Sequence, residues 1–367
     1  MDCDDKNEMA IDGRIMEGGG QILRISVALS SLTKKPISIA NIRGNREKPG
    51  LRAQHLNGIK LVSDITAAKM NGCELGSCNL SFAPRIIKGG KYYADTGTAG
   101  SVVLLLQVSL PVLLFAEKAS ELILKGGTNA DLAPQIDTTI SVFKPIIQKM
   151  GVSFECNVIR RGYFPKGGGH VVFKVNPIDG FIKPIVLLDA GHVTAIKGYS
   201  YVAGVLPIKL AHEIADSAVK HLKSAFNVPI KIDRVKESSE KAEGNGSGIV
   251  LVAETSTGCI IGSSAIGSRA VKPDKVGLNA ADELISELKS GGCVDSHIQD
   301  QLIIFMALAK GKSKIKSGPL TLHTKTAIHF CELLTNATFN VSEFDEGLKN
   351  FCIIECDGIG MNVNDIH

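Results

Sequence analysis

Ala10-Ile-Asp-Gly-Arg-Ile-Met-Glu17-Gly-Gly-Gly-Gln21-Ile-Leu-Arg24-Ile-Ser-Val-Ala-Leu-Ser-Ser-Leu32 changes its periodicity partway along. Ala10–Ile15 reads as a strand, Glu17–Gly20 as a tight turn, and Gln21–Leu32 as a helix with Ile22, Leu23, Val27 and Leu29 apolar. A strand that turns on glycines directly into a helix is the elementary α/β unit. The turn also has chemical potential. Its glycines let backbone N–H groups approach an anion at the start of the helix. Glu17 is out of place beside phosphates unless it shares a metal ion with them. It is not a P-loop: no Gly-x4-Gly-Lys-Ser/Thr occurs, and Gly311-Lys312-Ser313 has Met306 where that loop needs glycine.

The same theme recurs downstream. Lys88-Gly89-Gly90 precedes a buried apolar helix, Ser101–Phe115, kinked at Pro111. Lys125-Gly126-Gly127 precedes a helix through Ile136, Ile140, Val142, Ile146 and Met150, and Lys166-Gly167-Gly168-Gly169 precedes a strand, His170–Val175. The marks recur at roughly 40 residues, a period expected of a repeated supersecondary unit. Near Leu187 the texture changes. Strand Val193–Val202, amphipathic helix Lys209–Phe226, strand Val228–Val235, a mobile polar loop Lys236–Gly248, strands Ile249–Glu254 and Cys259–Ser263 and a helix at Ala280–Leu288 form a separate unit. The chemistry-bearing runs resume at Ser296. The expected organisation is therefore a discontinuous large domain, 1–186 and 291–367, with a small α/β domain, 187–290, inserted in it.

The chain has 367 residues, 44% hydrophobic and 21% charged, with a net charge of +4 and a mean hydropathy of +0.14. Such a mild charge excludes a histone-like footprint and leaves anion binding to local placement. The most apolar stretch, Ser101–Phe115, is too short to span a bilayer. Nine cysteines and the run Met1-Asp2-Cys3-Asp4-Asp5 point to free thiols and no secretory leader. Cys73/Cys78 and Cys352/Cys356 have the wrong spacing for a zinc knuckle.

Arg43-Gly-Asn-Arg46-Glu-Lys48-Pro-Gly-Leu-Arg52-Ala-Gln54-His55 sets four basic side chains in a turn before a helix, a compact grip for a terminal phosphate. Gly126-Gly-Thr-Asn129-Ala-Asp131-Leu-Ala-Pro134-Gln135-Ile-Asp137 can lay Pro134 against a base, or simply cap a helix with Asn129 or Asp131. In His297-Ile-Gln299-Asp300-Gln301, Asp300 and Gln301 open a helix and can bond nucleotide hydroxyls. His323 lies in Thr321-Leu-His-Thr-Lys-Thr-Ala-Ile-His329, and a neutral imidazole can attack phosphorus and carry the group covalently. By residue type alone His55, His170, His212 and His329 are rival nucleophiles. Each run has an ordinary structural reading; together they suggest nucleotidyl transfer.

Six runs in order, Met16–Arg24, Lys48–His55, Gly126–Asp137, Arg161–Gly169, Asp300–Ala309 and Thr321–His329, resemble the RNA 3′-terminal phosphate cyclase family, and most closely its eukaryotic catalytic branch. The resemblance implies a large domain of three repeated α/β units, each a sheet with two helices, and a thioredoxin-like insert. It implies ATP-dependent closure of an RNA 3′-phosphate to a 2′,3′-cyclic phosphate through a histidyl–AMP on His323, with a divalent metal. By the same resemblance Gln107, Pro134, His297, Asp300 and Gln301 line the ATP site with His323, Glu17 ligates the metal, and Arg24, Arg43, Arg46, Gln54 and His55 hold phosphates of ATP or of the RNA end. His297 stands where relatives usually carry tyrosine. RNA 3′-phosphate ends are the expected partner, with no membrane and no obligate protein. The eukaryotic relatives imply a nuclear location. Two alternatives stand beside this reading: the family's non-catalytic ribosome-assembly branch, which lacks the histidine, and an enolpyruvyl-transferase-like enzyme.

Overall fold

The computed structural model describes residues 8–345, 347 and 350–366. Three of the sheets in it repeat one connectivity. In the first copy β1 (Met9–Asp12) leads through the glycine turn to α1 (Gly20–Thr33), then β2 (Ile37–Ala40), α2 (Ala53–Thr66), β3 (Lys69–Asn71) and β4 (Leu80–Ala83). β1 and β2 are parallel, β4 is antiparallel to β2 and β3 pairs with β4, giving the order β1-β2-β4-β3.

The second copy runs β5 (Lys91–Asp95), α3 (Val102–Leu113) and β6 (Ser120–Gly126). Its second helical stretch joins α4 (Ile136–Thr138) to α5 (Lys144–Gln148) through a π-helical turn, Thr139–Phe143. β7 (Phe154–Gly162) and β8 (Gly169–Val175) complete it, and the order β5-β6-β8-β7 has the same pairing senses as the first copy.

The third copy starts with β9 (Val186–Leu187) and is then interrupted. The interruption holds β10 (Val193–Ala203), α6 (Ile208–Ala225), β11 (Ile230–Lys236), β12 (Ala242–Glu243), β13 (Gly246–Thr255), β14 (Ile260–Ile266) and α7 (Pro273–Ser290). α8 (Ser296–Leu308), β15 (Lys310–Ser317), α9 (Leu322–Leu334), β16 (Thr338–Asp345) and β17 (Asn350–Ile359) resume the pattern in the order β9-β15-β17-β16. Val186 and Leu187 still pair with Lys314 and Ile315, so the chain leaves the third sheet only after Leu187.

Side-chain periodicity accounts for these elements. β6 and β8 bury alternate residues, among them Leu122, Leu124, Val171 and Phe173. α3 buries nearly every side chain, because it packs on α1, α2 and α8 at once. One continuous core serves the three copies, and a second core, including Ile196, Ile214, Leu222, Leu251 and Leu284, lies between the β10–β14 sheet and helices α6 and α7.

Three expectations are corrected. The Lys-Gly-Gly marks are not a repeat: the first precedes β5, the second closes β6, and the third lies between β7 and β8. The true unit is about twice as long, because each copy needs two strand–helix steps and a closing hairpin. Pro111 lies in the last turn of α3, where little helix remains to be kinked. The polar loop after β11 is anchored: β12 pairs with Arg161 and Gly162 and becomes the fifth strand of the second copy's sheet.

A buried charge network reinforces that junction. Arg161 on β7 donates two 2.8 Å bonds to Asp137 and pairs through Nε with Glu237 at 2.7 Å. Tyr201 on β10 donates to Gln135 at 2.8 Å. Arg161→Ala leaves two carboxylates uncompensated and is expected to destabilise the fold by about 3–5 kcal/mol. Urea denaturation checks this; a midpoint unchanged from wild type would show the network to be dispensable.

Candidate functional site

In each copy the connections into the helices lie at the C-terminal ends of the parallel strand pair, the usual place for ligands in such sheets. Here these connections meet around a cavity of about 790 Å³, a size suited to a nucleotide-sized ligand. Glu17, Gly19 and Gly20 reach it from before α1; Arg43, Arg46 and Arg52 from before α2; Ala130–Gln135 from before α4; Thr321 from before α9. All twelve residues singled out from the sequence line it: Glu17, Arg24, Arg43, Arg46, Gln54, His55, Gln107, Pro134, His297, Asp300, Gln301 and His323.

His323 is the second residue of α9. Thr321 caps that helix, its hydroxyl accepting from Thr324 N–H at 3.1 Å. Buried Gln299 accepts from Thr321 N–H at 3.0 Å and donates to Ser317, tying α9's start to α8. The His323 Nδ1 lies 3.1 Å from the Gln21 amide oxygen, and the Gln21 nitrogen donates to Asp300 at 2.6 Å. Burial raises Asp300 from the usual carboxylate range, against the pull of His323 and Arg24.

The glycine turn is held by Glu17 N–H donating to Thr326 on α9 at 3.2 Å. Gly18 has φ +60, and a Cβ at Gly20 would collide with the His55 ring, so this turn accepts little else. The Glu17 carboxylate pairs with Arg46, which also donates to the Glu17 carbonyl at 2.9 Å.

The wall lined by Arg24, Arg43, Arg46 and Arg52 is strongly positive. Burial lowers Arg24, with Asp300 and Glu17 opposing; arginine stays charged regardless. Arg43 is anchored on the carbonyls of Lys48 and Gly50 at 2.6 and 3.3 Å. Burial, then Arg24, Arg43 and Arg52, hold His55 down at about 3, so it is a neutral ring. Its Nδ1 accepts from Arg52 N–H at 3.3 Å, which puts its remaining proton on Nε2. Gln54 accepts from Ser101 N–H at 3.3 Å.

On the opposite wall, Asp295 caps α8 by accepting from His297 and Ile298 N–H at 3.1 and 3.0 Å. Asp300 and Gln301 therefore sit further inside the helix than the expected opening position, and the Gln301 amide donates to the His297 carbonyl at 2.6 Å. The helix after Pro134 starts without a side-chain cap; Asn129 instead donates to Gln135 in the buried network. Arg52, one of the four basic side chains of the expected grip, lines the cavity too, as do Gln21, Asp295 and Glu283, for which the sequence suggested no role.

His297 Nε2 meets Glu283 of α7 at 2.7 Å, and this partner raises the imidazole to about 9 from an ordinary 6.5. A group raised on folding contributes stability that is complete below pH 6.5 and is lost as pH rises through 9. Across that window the melting temperature of wild type is expected to fall relative to Glu283→Gln; parallel curves would refute the pairing.

The donor set limits how a metal can bind. Among the described residues no group of three or more His, Cys, Asp or Glu side chains could hold one. Yet Glu17 Oε2 is buried without a hydrogen-bond partner. A lone orphaned carboxylate oxygen fits a magnesium-like ion that takes its other ligands from phosphates and water. Glu17 would hold such an ion.

A family model described as RNA 3′-terminal phosphate cyclase matches residues 15–341. A Dictyostelium discoideum protein named "Probable RNA 3′-terminal phosphate cyclase" is 42% identical over 99% of this chain and 86% of its own length. Proteins named "RNA 3′-terminal phosphate cyclase" from Drosophila melanogaster and Staphylothermus marinus are 37% and 40% identical, over 97% and 96% of the chain and 98% of their own lengths. With a match running from the glycine turn into β16 and relatives aligned end to end, the chain belongs to the RNA 3′-terminal phosphate cyclase family.

Proposed function

We propose that this protein uses ATP to convert RNA 3′-terminal phosphates to 2′,3′-cyclic phosphates, with His323 as nucleophile. One observation carries the reading: a helix-borne imidazole with Nδ1 engaged faces a cavity lined by Arg24, Arg43, Arg46 and Arg52. His323 Nε2 attacks the α-phosphorus of ATP; the N–P bond forms and pyrophosphate leaves with the electron pair. An oxygen of the RNA 3′-phosphate then attacks that phosphorus, and the broken P–N bond returns its pair to Nε2. The vicinal 2′-hydroxyl closes on the terminal phosphorus, losing its proton, as AMP departs. The adenylate supplies the leaving group that a phosphate monoester lacks, and the neighbouring hydroxyl makes closure effectively unimolecular.

The arginines hold phosphate oxygens bidentately, and His55, a neutral donor at Nε2, adds a hydrogen bond. Gln107, Pro134, His297, Asp300 and Gln301 frame the nucleoside, and Arg24, Arg43, Arg46, Gln54 and His55 the phosphates. A divalent cation at Glu17 would supply charge neutralisation for the phosphates. We place the inserted domain between Leu187, which still pairs in the third sheet, and Ser290, and the protein in the nucleus. Among the described residues no helix is long and apolar enough to cross a membrane.

The test is α-labelled ATP with purified protein, chased with a 3′-phosphorylated oligoribonucleotide. Label is expected on the protein, then in released AMP as the end cyclises. A terminal deoxynucleotide should stop at the adenylated end, having no 2′-hydroxyl. A protein that never takes up label would support the scaffold reading and end this one.

A further inference from the structure

Gln21, in the first turn of α1, is only 4% exposed, and it spans two residues far away in sequence. Its Nε2 donates to Asp300 at 2.6 Å and its Oε1 lies 3.1 Å from His323 Nδ1. With Asp300 ionised beside Arg24 its carboxylate only accepts, so the amide presents nitrogen to Asp300 and oxygen to His323. An amide oxygen has no hydrogen to give. The His323 Nδ1 must then carry the proton, which leaves the lone pair on Nε2.

We propose that Gln21 is a positioning residue that fixes the Nδ1–H tautomer and ring orientation of His323, relaying the acceptor character of Asp300 across its amide. The relay selects the attacking atom before substrate binds. It also opposes the positive charge that grows on the ring as the N–P bond forms, since the Nδ1–H already points at an oxygen backed by a carboxylate. Arg24, also on α1, lies close enough to Asp300 and Glu17 to interact with both, so the relay's far end stays balanced. The proposal rests on the nucleophilic role of His323.

The first measurement needs no variant: long-range imidazole ¹⁵N spectra of wild type, with His323 assigned by its absence from His323→Ala. The proton is expected on Nδ1; finding it on Nε2 overturns the proposal. The second is Gln21→Leu, similar in volume and without an amide. Single-turnover self-adenylylation is expected to slow by about 10²–10⁴-fold, the scale seen when a catalytic histidine loses its tautomer-setting partner. ATP binding should change little, and the His323 proton should no longer be confined to Nδ1. A folded Gln21→Leu protein that adenylates at the wild-type rate overturns the relay. Wild type that never adenylates overturns the functional reading instead, and the two failures are distinct.

Discussion

His323→Ala is expected to abolish both AMP labelling of the protein and cyclisation, a loss of at least about 10⁴-fold. Removing a nucleophile differs in kind from weakening a contact, because the covalent intermediate has no other route. The imidazole lies on the cavity face of α9 rather than in the core, so the variant should fold and bind ATP. Mass spectrometry of ATP-treated protein locates the adenylate directly. If the variant still carries AMP, another side chain is the nucleophile and the assignment fails. His170, His212 and His329, rivals by residue type, do not line the cavity.

Glu17→Ala is expected to reduce cyclisation by about 10²–10⁴-fold, the scale of losing a group that stabilises developing charge. Two effects combine in that variant, since Arg46 loses its ion-pair partner as well. Glu17→Gln separates them: it keeps the side-chain shape and a hydrogen-bonding oxygen but not the charge. A metal role requires that Gln behave like Ala and that the apparent metal requirement rise in both. Titrating magnesium against activity reads this out. A metal-response curve unchanged in Glu17→Gln would remove the carboxylate from metal binding.

Much of this architecture was legible beforehand because it is written locally. The β1–α1 step showed as a change of period around three glycines, and α6 as a stripe of Leu210, Ile214, Ala218 and Leu222, of which all but the half-buried Leu210 are buried. Residues with strong chemistry were found because Arg, His and Asp clusters in glycine-rich turns have few purely structural uses. What escaped was non-local. Gln21 is separated from Asp300 by 279 positions and from His323 by 302, and nothing in a glutamine after three glycines announces either contact. β12 is two residues long and pairs out of the insert with the second copy's sheet, so it carries no alternating pattern to detect. Asn129, a good capping residue by type, was claimed by a buried network whose members come from four separate stretches.

The duplicated scaffold also carries a lesson about histidine. His55 opens the second helix of the first copy as His323 opens that of the third. With the tautomer proposed for His323, their protons sit on opposite nitrogens: His55 Nδ1 takes a hydrogen bond from Arg52 N–H, whereas His323 Nδ1 faces the Gln21 amide oxygen and gives one. Comparable places in two copies of the unit would then differ in chemical character, one ring offering a hydrogen-bond donor and the other a lone pair, and that difference would rest on the address of a single hydrogen atom.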